Sequence, residues 1–376
     1  MKVLTIISHT EHYKTANGTI LGLGSTVTEI NNLLSVFDEI HHVAMLHSNP
    51  PPPSALPYSS NKIVFIPIQA VGGSRLKDKI SILWNAPRVI NTVRKALKQS
   101  DCFQFRAPTG IGVFVIPYLV FFSSKKGWFK YAGNWNQKAA PMAYRFQKWM
   151  LKNQNRYVTI NGQWSNQPKQ CLTFENPCLT MQELEKGNMF AMQKSIAESL
   201  IDFCFVGRLE KEKGISILIE AFHNLSDDDK GKVRSIHIVG DGKDRLDYQE
   251  LAKKTNLNFV FHGFLSRSDV HEIYINSHAI VLPSASEGFP KVIAEALNYG
   301  CIPVVSNVSG ISHYVKDNEN GFLLDAISAK SVQTKLQNVL RLSSQDYSKM
   351  IASRRENIEK FTYKYYNNRI SNELIK

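Results

Sequence analysis

Short apolar runs alternate with amphipathic stretches along the first half of the chain. Seven runs have the length and composition of buried strands: KVLTIIS (2–8), EIHHVAML (39–46), KIVFIPI (62–68), DCFQFR (101–106), WFKYAG (128–133), YVTING (157–162) and QCLTF (170–174). Helical spacing marks 25–37 and 86–99, and the apolar run 111–122 predicts a buried helix too short to span a bilayer. The proline cluster at 49–57 predicts a loop. This alternation favours a parallel sheet with helices on both faces.

The same pattern restarts near residue 201. Strands are predicted at IDFCFVG (201–207), RSIHIVG (234–240), NFVFHG (258–263), HAIVLPS (278–284), CIPVVS (301–306) and GFLL (321–324), with helices at 214–225, 245–255, 268–276 and 290–299. The predicted fold class is α/β, with one doubly wound domain at 1–180, a second at 181–360 and the boundary at about 177–200. Ligands bind at the carboxyl ends of strands in such sheets, so we expect the two domains to face a central cleft.

The net charge of +13 is concentrated in the first half of the chain. Residues 1–200 contain 22 Lys and Arg against 10 Asp and Glu, and residues 102–174 contain ten Lys and Arg but no acidic residue. A one-sided basic surface indicates an anionic partner, such as a membrane, a phosphorylated acceptor or nucleic acid. No helix-turn-helix, zinc-finger or RNA-binding signature accompanies the charge, so no nucleic-acid partner is expected.

One segment of this basic window, PMAYRFQKWMLKN, predicts an amphipathic helix. Arg145, Lys148 and Lys152 stand at i, i+3 and i+7 and share one helical face, and positions 142, 146, 149 and 150 are apolar. Two interpretations remain open. The segment is either a surface for an anionic membrane or a solvated basic face over a buried aromatic core.

The five cysteines are scattered and form no C-x-x-C pair or His/Cys cluster, which indicates neither a zinc site nor a disulfide framework. That usage fits a reducing cytosol. The start of the chain, MKVLTIISHTEHYK, is interpreted as a buried first strand and not as a signal peptide. The expected localisation is therefore cytoplasmic, with a peripheral position on the inner face of the membrane if the basic surface binds lipid.

Three motifs combine a predicted strand end with a turn that could meet a ligand. In VGRLEKEKG, Arg208 and Lys213 precede a helix N-terminus, where two cations and the helix dipole suit a diphosphate. A solvated basic turn is the alternative. VGDG and FHGFL contain Gly240 and Gly263, where backbone N–H groups can approach a ligand closely. Neither glycine turn is specific by itself.

The fourth motif, EGFPKVIAE, carries two carboxylates, Glu287 and Glu295. Pro290 fits the first turn of a helix, where its missing N–H costs nothing, and Gly288 and Phe289 offer backbone N–H groups. Carboxylates on both sides of an anion-binding helix start suit a ligand with hydroxyls at both ends and phosphate in the middle, such as a nucleotide-sugar. An N-cap glutamate with an unrelated surface glutamate is the alternative.

In the order VGRL…EKG, GDG, F-x-G and EGFP…EA…GxPVV, these motifs resemble the donor half of family 4 retaining glycosyltransferases with the GT-B fold, over about 200–325. The resemblance implies two Rossmann-like domains, with the last helix, about 361–376, crossing back to the first. It implies that Glu295 binds the donor ribose, that Glu287 meets the donor sugar, and that Arg208 and Lys213 bind the diphosphate. The remaining donor-binding residues that it implies are Gly240, Gly263, Phe264, Gly288, Phe289 and Pro290.

The amino-terminal half resembles the family less closely. GTILGLGSTVTEINNLL looks like the glycine-containing loop and first helix of the family, which implies that Gly22 and Gly24 lie near the diphosphate. FRAPTGIG and YAGNW resemble a subset found in exopolysaccharide and surface-glycan enzymes. Many members have a histidine after the fourth strand that acts near the reacting carbon.

This chain has Arg106 followed by Ala-Pro at that place. His9, Arg106 and Asn134 are therefore the acceptor-side candidates, whereas His12, in the same loop as His9, is interpreted as a surface residue.

The resemblance implies transfer of a hexosyl group with retention of configuration from a UDP- or GDP-sugar. The implied acceptor is a glycan or lipid-linked molecule in cell-surface polysaccharide or lipopolysaccharide synthesis. Arg208, Lys213 and Glu287 are the catalytic candidates, since charge that develops on the leaving diphosphate must be offset. No metal or other cofactor is expected, because no acidic pair at a strand end suits Mg²⁺. The alternative is a nucleotide-sugar epimerase of GT-B architecture, a class that uses several acids and histidines where this chain has its acid-free window.

Overall fold

The computed structural model describes residues 1–72, 81–137, 139–196, 200–288 and 291–376. The chain divides into two compact units: unit 1 is Met1–Asn176 with Tyr363–Lys376, and unit 2 is Pro177–Thr362. Each unit contains a mainly parallel sheet with helices packed on it, which confirms the predicted α/β class with two doubly wound units. None of the helices in these ranges combines the length and the apolar content that a bilayer crossing requires.

The described residues of unit 1 form a nine-stranded sheet. Its strands are β1 Val3–Lys14, β2 Ile20–Leu23, β3 Glu39–His47, β4 Ala55–Pro57, β5 Ile63–Gln69, β6 Cys102–Ala107, β7 Lys126–Tyr131, β8 Val158–Ile160 and β9 Cys171–Thr173. Seven lie parallel in the order β5-β3-β1-β6-β7-β8-β9, and they are the seven predicted strands. The antiparallel pair β2–β4 beside β1 is not predicted, and β4 lies in the proline-rich stretch predicted as a loop.

Helices pack on this sheet. They are α1 Gly24–Leu33, α2 Ala86–Lys98, α3 Gly112–Pro117 with a π-helical continuation over Tyr118–Phe122, α4 Met142–Lys152 and the C-terminal helix Tyr363–Arg369. Of these, α4 leaves several large apolar side chains exposed. In α2 the buried positions 89, 93, 96 and 97 repeat with helical spacing, which is why this segment docks as a helix. The apolar run 111–122 is buried on one side only, since Phe121 and Phe122 are 67% and 78% exposed. The prediction of a buried helix is wrong for its last turn.

The C-terminal helix belongs to unit 1. Asn367 Nδ2 donates to the carbonyl of Asn32, at the end of α1, at 2.7 Å. Arg369 donates to the carbonyl of Thr173 at 2.6 Å, and the Tyr366 ring meets the Phe174 ring edge-on with 5.8 Å between centroids. The last residues of the chain are therefore anchored to the first helix and the last strand of unit 1.

Unit 2 is built on a six-stranded parallel sheet in the order β12-β11-β10-β13-β14-β15. Its strands are β10 Ile201–Val206, β11 Val233–Val239, β12 Phe259–Gly263, β13 Ala279–Leu282, β14 Ile302–Ser306 and β15 Phe322–Leu324. The helices are α5 Met181–Gln193, α6 Ile215–His223, α7 Asp227–Lys230, α8 Arg245–Lys253, α9 Arg267–Asn276, α10 Lys291–Asn298, α11 Ala329–Leu340, α12 Ser344–Ser353 and α13 Arg355–Ile358. Every residue of β10, β13 and β14 is buried, as expected for parallel strands covered on both faces.

Helix α5 lies in the segment interpreted as the domain boundary. A capping box starts it: the Thr180 hydroxyl accepts from the Glu183 N–H at 3.1 Å, and the Glu183 carboxylate accepts from the Thr180 N–H at 2.8 Å. This helix is not among those predicted from the sequence, although the T-x-x-E pattern is a sequence signal that could have revealed its start. Residues 177–196 of the boundary segment are therefore part of unit 2.

Buried histidines are expected to make folding stability depend on pH. Burial lowers the pKa of His12 to about 4, and burial together with Lys194 and Arg234 lowers the pKa of His278 to about 4. The unfolded chain binds these protons near pH 6.5, so the folded state loses relative stability as pH falls from 6.5 towards 4. Each such histidine lowers the free energy of unfolding by about 1.4 kcal/mol at pH 5.5.

Urea denaturation at pH 7.5 and pH 5.5 measures this loss. His278→Gln should reduce the difference in free energy between the two pH values, because the amide keeps an acceptor for the Asp202 N–H, which now donates to His278 at 3.1 Å, but does not titrate. His223→Gln, at an exposed histidine of the same unit, is the matched control. A difference that is the same in wild type and His278→Gln would contradict the prediction.

Candidate functional site

The ends of three neighbouring strands in unit 2 are joined by backbone hydrogen bonds. Gly207 N donates to Val239 O at 3.0 Å, and Gly240 N donates to Gly263 O at 2.8 Å. Beyond the strands, Leu209 N donates to Asp241 O at 2.9 Å. The turns after β10, β11 and β12, which carry the first three sequence motifs, therefore meet at one edge of the sheet.

Gly240 is required by this junction. Its φ is +129°, and a Cβ atom built on it would lie 1.9 Å from the carbonyl oxygen of Gly207. No side chain fits there without moving the backbone, because both the conformation and the space are reserved for glycine. The Gly240 N–H, which the sequence predicts to approach a ligand, donates to the carbonyl of Gly263 in this structure.

Lys213 and Glu287 form the central charged contact of this edge. Lys213 Nζ lies 2.5 Å from Glu287 Oε1, and both side chains are largely buried, at 20% and 12% exposure. Lys213 ends a 3₁₀ turn before α6, and the N–H of Ala285 donates to the carbonyl of Glu212 in that turn at 2.8 Å. The loop that carries the fourth motif is therefore tied to the turn that carries the first, and the hydroxyl of Ser309 holds its other side through the carbonyl of Glu287.

Arg208 has a different environment from Lys213. Its side chain is 72% exposed and pairs with Glu210, two residues on, at 2.8 Å. An exposed pair of this kind is weak, since water competes for both charges. Arg208 can therefore exchange Glu210 for another anion at small cost.

Glu295 lies in α10 within a charged cluster that sequence analysis does not predict. Its Oε1 accepts from Arg267 Nη1 at 2.9 Å, and Tyr274 Oη lies 3.5 Å from Oε2. Arg267 also donates to both carboxylate oxygens of Glu183, at 2.7 and 2.9 Å. Burial alone would raise the pKa of Glu183, but the hydrogen bonds and charge of Arg267 outweigh it and lower that pKa.

Arg267 begins α9 directly after the Ser266 N-cap, and a cation after a strand-end turn is the signal that could have singled it out. Its guanidinium holds α5 and α10 together through their carboxylates.

The other donor-side candidates differ in how much the structure says about them. Gly288 is half-buried in the loop before α10, and Phe264 is 47% exposed beyond the end of β12. Phe289 and Pro290 lie outside the described residues. In unit 1, Gly24 is the first residue of α1, and its N–H donates to the carbonyl of Ser54 at 2.9 Å.

Gly22 has no side chain, which leaves space for the ring of His12. A Cβ atom on Gly22 would lie 2.5 Å from His12 Nε2. His12 is fully buried and, like His9, lies within strand β1, so its interpretation as a surface residue in a loop is wrong. The pairing of β1 with β2, which the apolar pattern does not reveal, covers this histidine.

His12 belongs to a chain of hydrogen bonds whose directions are determined. Its Nδ1 lies 3.0 Å from the carbonyl of Thr10, which can only accept, so Nδ1 carries the proton. Burial lowers the pKa of His12 to about 4, so the ring carries only that proton and Nε2 accepts from the Tyr58 hydroxyl at 2.7 Å. The Tyr58 oxygen then accepts from His42 Nδ1 at 2.6 Å. His42 Nε2 then accepts from the Ser8 hydroxyl at 2.8 Å. Both histidines are neutral in this arrangement.

The hydrogen-bonded chain flanks the irregular part of strand β1 that carries His9. The register of β1 against β3 shifts between Ile7 and Glu11, so His9 lies in an irregular turn of the strand. Its ring lies against the backbone of Gly72 and Gly110, and its Nε2 is buried with no hydrogen-bond partner among the described residues. Burial lowers the pKa of His9, so its ring is neutral near pH 7 and can act as a hydrogen-bond donor or acceptor.

Arg106 and Asn134, the other acceptor-side candidates, are not brought into contact with each other. Arg106 Nη2 donates to Glu29 Oε1 at 2.9 Å, and Lys130 Nζ donates to the same oxygen at 2.5 Å. The guanidinium of Arg106 is thereby engaged in a buried cluster of unit 1. Asn134 lies after β7, where its Oδ1 accepts from Asn136 N at 2.9 Å and its side chain lines a cavity.

No group of three or more His, Cys, Asp or Glu in the described ranges is arranged to hold a metal ion.

Comparison with known proteins identifies what this arrangement resembles. Residues 190–360, which contain the candidates from Arg208 to Glu295, match the family description "Glycosyl transferases group 1". An uncharacterised glycosyltransferase of Methanocaldococcus jannaschii is 30% identical over 138 residues, which are 36% of this chain and 35% of that protein. The capsular polysaccharide biosynthesis glycosyltransferase CapM of Staphylococcus aureus is 28% identical over 141 residues, 36% of each chain. The aligned region spans about a third of the length of these relatives.

The whole chain is similar to solved GT-B structures. The Anabaena protein HepE, crystallised with UDP and glucose, superposes with a TM-score of 0.69 over 100% of this chain and 99% of its own, at 14% identity. The fold is therefore GT-B, with two Rossmann-like domains, as predicted.

Proposed function

We propose that this protein is a family 4 retaining glycosyltransferase that needs no metal. It transfers a hexosyl group from a UDP- or GDP-sugar to a glycan or lipid-linked acceptor in the synthesis of cell-surface polysaccharide or lipopolysaccharide. The donor binds to residues 181–360, and the acceptor to 1–180 with 361–376. The observation that carries the proposal is the contact of Lys213 with Glu287 beside the glycine junction, inside the residues that match group 1 glycosyl transferases. The capsular polysaccharide relative supports a surface-glycan acceptor.

The pair of Lys213 and Glu287 is ready for exchange with a donor. The donor diphosphate forms an ion pair with the ammonium of Lys213. The carboxylate of Glu287 then accepts hydrogen bonds from hydroxyls of the donor sugar. Arg208 supplies the second cation, since its exposed contact with Glu210 is easily replaced. The two partners in the present contact thus meet two different parts of the same ligand.

In this proposal, Glu295 accepts hydrogen bonds from the ribose hydroxyls of the donor. A carboxylate has about four lone-pair sites, and Arg267 and Tyr274 approach one oxygen each, so acceptor capacity remains. Arg267 orients the carboxylate and offsets its charge when no ligand is bound.

Transfer breaks the bond between the sugar carbon and the diphosphate, so negative charge develops on the leaving oxygens. Lys213 and Arg208 offset that charge from fixed positions, which lowers the barrier because no reorganisation is needed at the moment of reaction. Retention then requires that the acceptor hydroxyl form its bond to the sugar carbon on the face from which the diphosphate departs, and its proton passes to the departing diphosphate oxygen.

Loss of either cation should slow turnover. We expect Lys213→Ala and Arg208→Ala to reduce turnover by about 10²-fold, as for one lost donor to a developing anion. The assay follows nucleoside diphosphate release from UDP-glucose, UDP-galactose, UDP-N-acetylglucosamine and GDP-mannose, with mass spectrometry of the sugar products. Lys211→Ala, at an exposed lysine of the same turn, is the matched control.

Near-full turnover of Lys213→Ala at saturating donor would contradict the diphosphate assignment. An epimerised donor sugar without a transferred product would instead favour the epimerase alternative.

The two carboxylates should divide the donor between them. Glu295→Gln is expected to weaken binding of UDP alone by about tenfold, because the ribose hydroxyls lose a charged acceptor. Glu287→Gln should leave UDP binding unchanged and lower turnover, because it meets the sugar. Isothermal calorimetry with UDP measures the first effect, with Glu212→Gln as the control at an exposed acid. Equal weakening by both substitutions would exclude this division.

Helix α4 supports a membrane-bound position for the acceptor. Met142, Phe146 and Trp149 stand at i, i+4 and i+7 and are 84%, 38% and 59% exposed. The two aromatic residues therefore do not form the buried aromatic core of the alternative interpretation. Arg145 is exposed beside them, whereas Lys148 is held by the carbonyl of Trp135. An exposed apolar stripe flanked by basic residues suits the interface of an anionic membrane.

Vesicle sedimentation tests this surface. Binding should rise with anionic lipid and fall as salt shortens the Debye length below ~10 Å. Met142→Ser with Phe146→Ser should abolish most of the binding, because the apolar contact is lost, while Leu246→Ser, at an exposed apolar residue of unit 2, should not. Equal partitioning to neutral and anionic vesicles would point to a soluble acceptor.

A further inference from the structure

A cavity of about 290 Å³ opens in unit 1 between the end of β7 and helix α4. Its lining includes Tyr131, Trp135, Tyr144, Arg145 and Lys152. Small-molecule sites typically begin near this volume, which suits a single sugar ring. We propose that this cavity binds an anionic sugar, one that carries a phosphate or a carboxylate, as the acceptor subsite. The proposal rests on the proposed glycosyltransferase function and names the chemical class of its acceptor.

Two aromatic rings form walls of the cavity. The rings of Tyr131 and Trp135 are nearly perpendicular, with 4.9 Å between centroids and 88° between planes. Both residues are almost fully buried, so the rings are held in place by their surroundings. Trp149 also lines the cavity and is 59% exposed, so its ring offers an accessible face for the apolar C–H face of a sugar.

Two hydroxyls at the cavity lack partners. No described residue hydrogen-bonds the hydroxyl of Tyr131 or that of Tyr144, although Tyr131 is only 3% exposed. Both side chains line the cavity, so each hydroxyl can form a hydrogen bond with a polar ligand there in place of water. Burial and the neighbouring Tyr144 raise the pKa of Tyr131 to about 12, so its hydroxyl keeps its proton and can donate.

The cations at the cavity have no internal counter-charge. Within the described ranges, no carboxylate pairs with Arg145 or Lys152. Lys148 lies beside them, and burial, followed by the charge of Lys152, lowers its pKa. Like charges brought together in a partly buried site repel each other, and an anion between them would relieve that repulsion.

Other cations of unit 1 show how this chain neutralises charges that serve the fold. Arg106 and Lys130 share the carboxylate of Glu29, which comes from a different part of the sequence. Among the residues that the structure describes, no carboxylate lines the cavity. Within those residues, Arg145 and Lys152 therefore lack the negative partner that Arg106 and Lys130 have, and a bound anion would supply it.

Calorimetry with glucose 6-phosphate, glucuronate, glucose and inorganic phosphate tests the proposal on the full chain. The two anionic sugars should bind at least about tenfold more tightly than glucose, and added salt should weaken them. Inorganic phosphate should bind less tightly than glucose 6-phosphate, because it lacks the ring that contacts the aromatic walls. Trp135 and Trp149 line the cavity, so their fluorescence should change on binding of the sugars.

Substitutions test the contributions of the two cations and of the Tyr131 hydroxyl to binding separately. Lys152→Gln and Arg145→Gln should each weaken glucose 6-phosphate by about tenfold with little effect on glucose. Tyr131→Phe should weaken both sugars without unfolding the chain, because its hydroxyl has no partner to lose. Lys126→Gln, at an exposed lysine at the opposite end of β7, carries the same charge change and should have no effect.

Equal affinity for glucose and glucose 6-phosphate, or equal affinity for inorganic phosphate and glucose 6-phosphate, would overturn the proposal. So would variants of Lys152 and Arg145 that weaken vesicle binding alone, since the cations would then serve the membrane. UDP binding and nucleotide release are measured on the same samples. If these persist while no anionic sugar binds, the acceptor inference fails and the proposed function stands; if UDP does not bind, the proposed function fails.

Discussion

A carboxylate that becomes buried on folding needs a nearby cation, and the candidate site depends on such pairs of carboxylates and cations. Lys213 and Glu287 are largely buried, so removing one of them leaves an uncompensated charge in the fold. Lys213 ties the turn before α6 to the loop before α10 through Glu287. Arg267 ties α9 to α5 and α10 through Glu183 and Glu295. The groups that are proposed to meet the donor are thus the same groups that position the loops of unit 2.

The pairing also distinguishes two kinds of positive charge in unit 1. Arg106 and Lys130 lie in the acid-free window but are neutralised by Glu29 from α1, and they stabilise the packing of that helix on the sheet. Arg145 and Lys152 come from the same window, and no described carboxylate reaches them. The excess positive charge of the first 200 residues therefore does not have one purpose. Part of it belongs to the fold, and part is exposed to a ligand or a surface.

The strands were predictable because parallel strands covered on both faces are continuous apolar runs. Each of the seven parallel strands of unit 1 and the six of unit 2 contains such a run, but β1 continues to Lys14 through the mostly polar residues 9–14. The short antiparallel pair β2–β4 was not predictable in this way, since three or four residues carry too little pattern. Missing that pair led to the wrong interpretation of His12, which β2 covers. Helix α5 was missed for a different reason, because its capping box was visible but its apolar spacing is weak.

The sequence by itself determined the two α/β units, the order of the motifs and the glycines at the strand ends. Each of these follows from local composition or from the backbone freedom of single residues. Only the tertiary structure decided which charges meet. Lys213 and Glu287 are 74 residues apart, and Lys130 and Glu29 are 101 apart. A charge carries no local signal of its partner, because Coulomb attraction depends on distance in space and on burial, and both are set by how the sheet brings distant segments together.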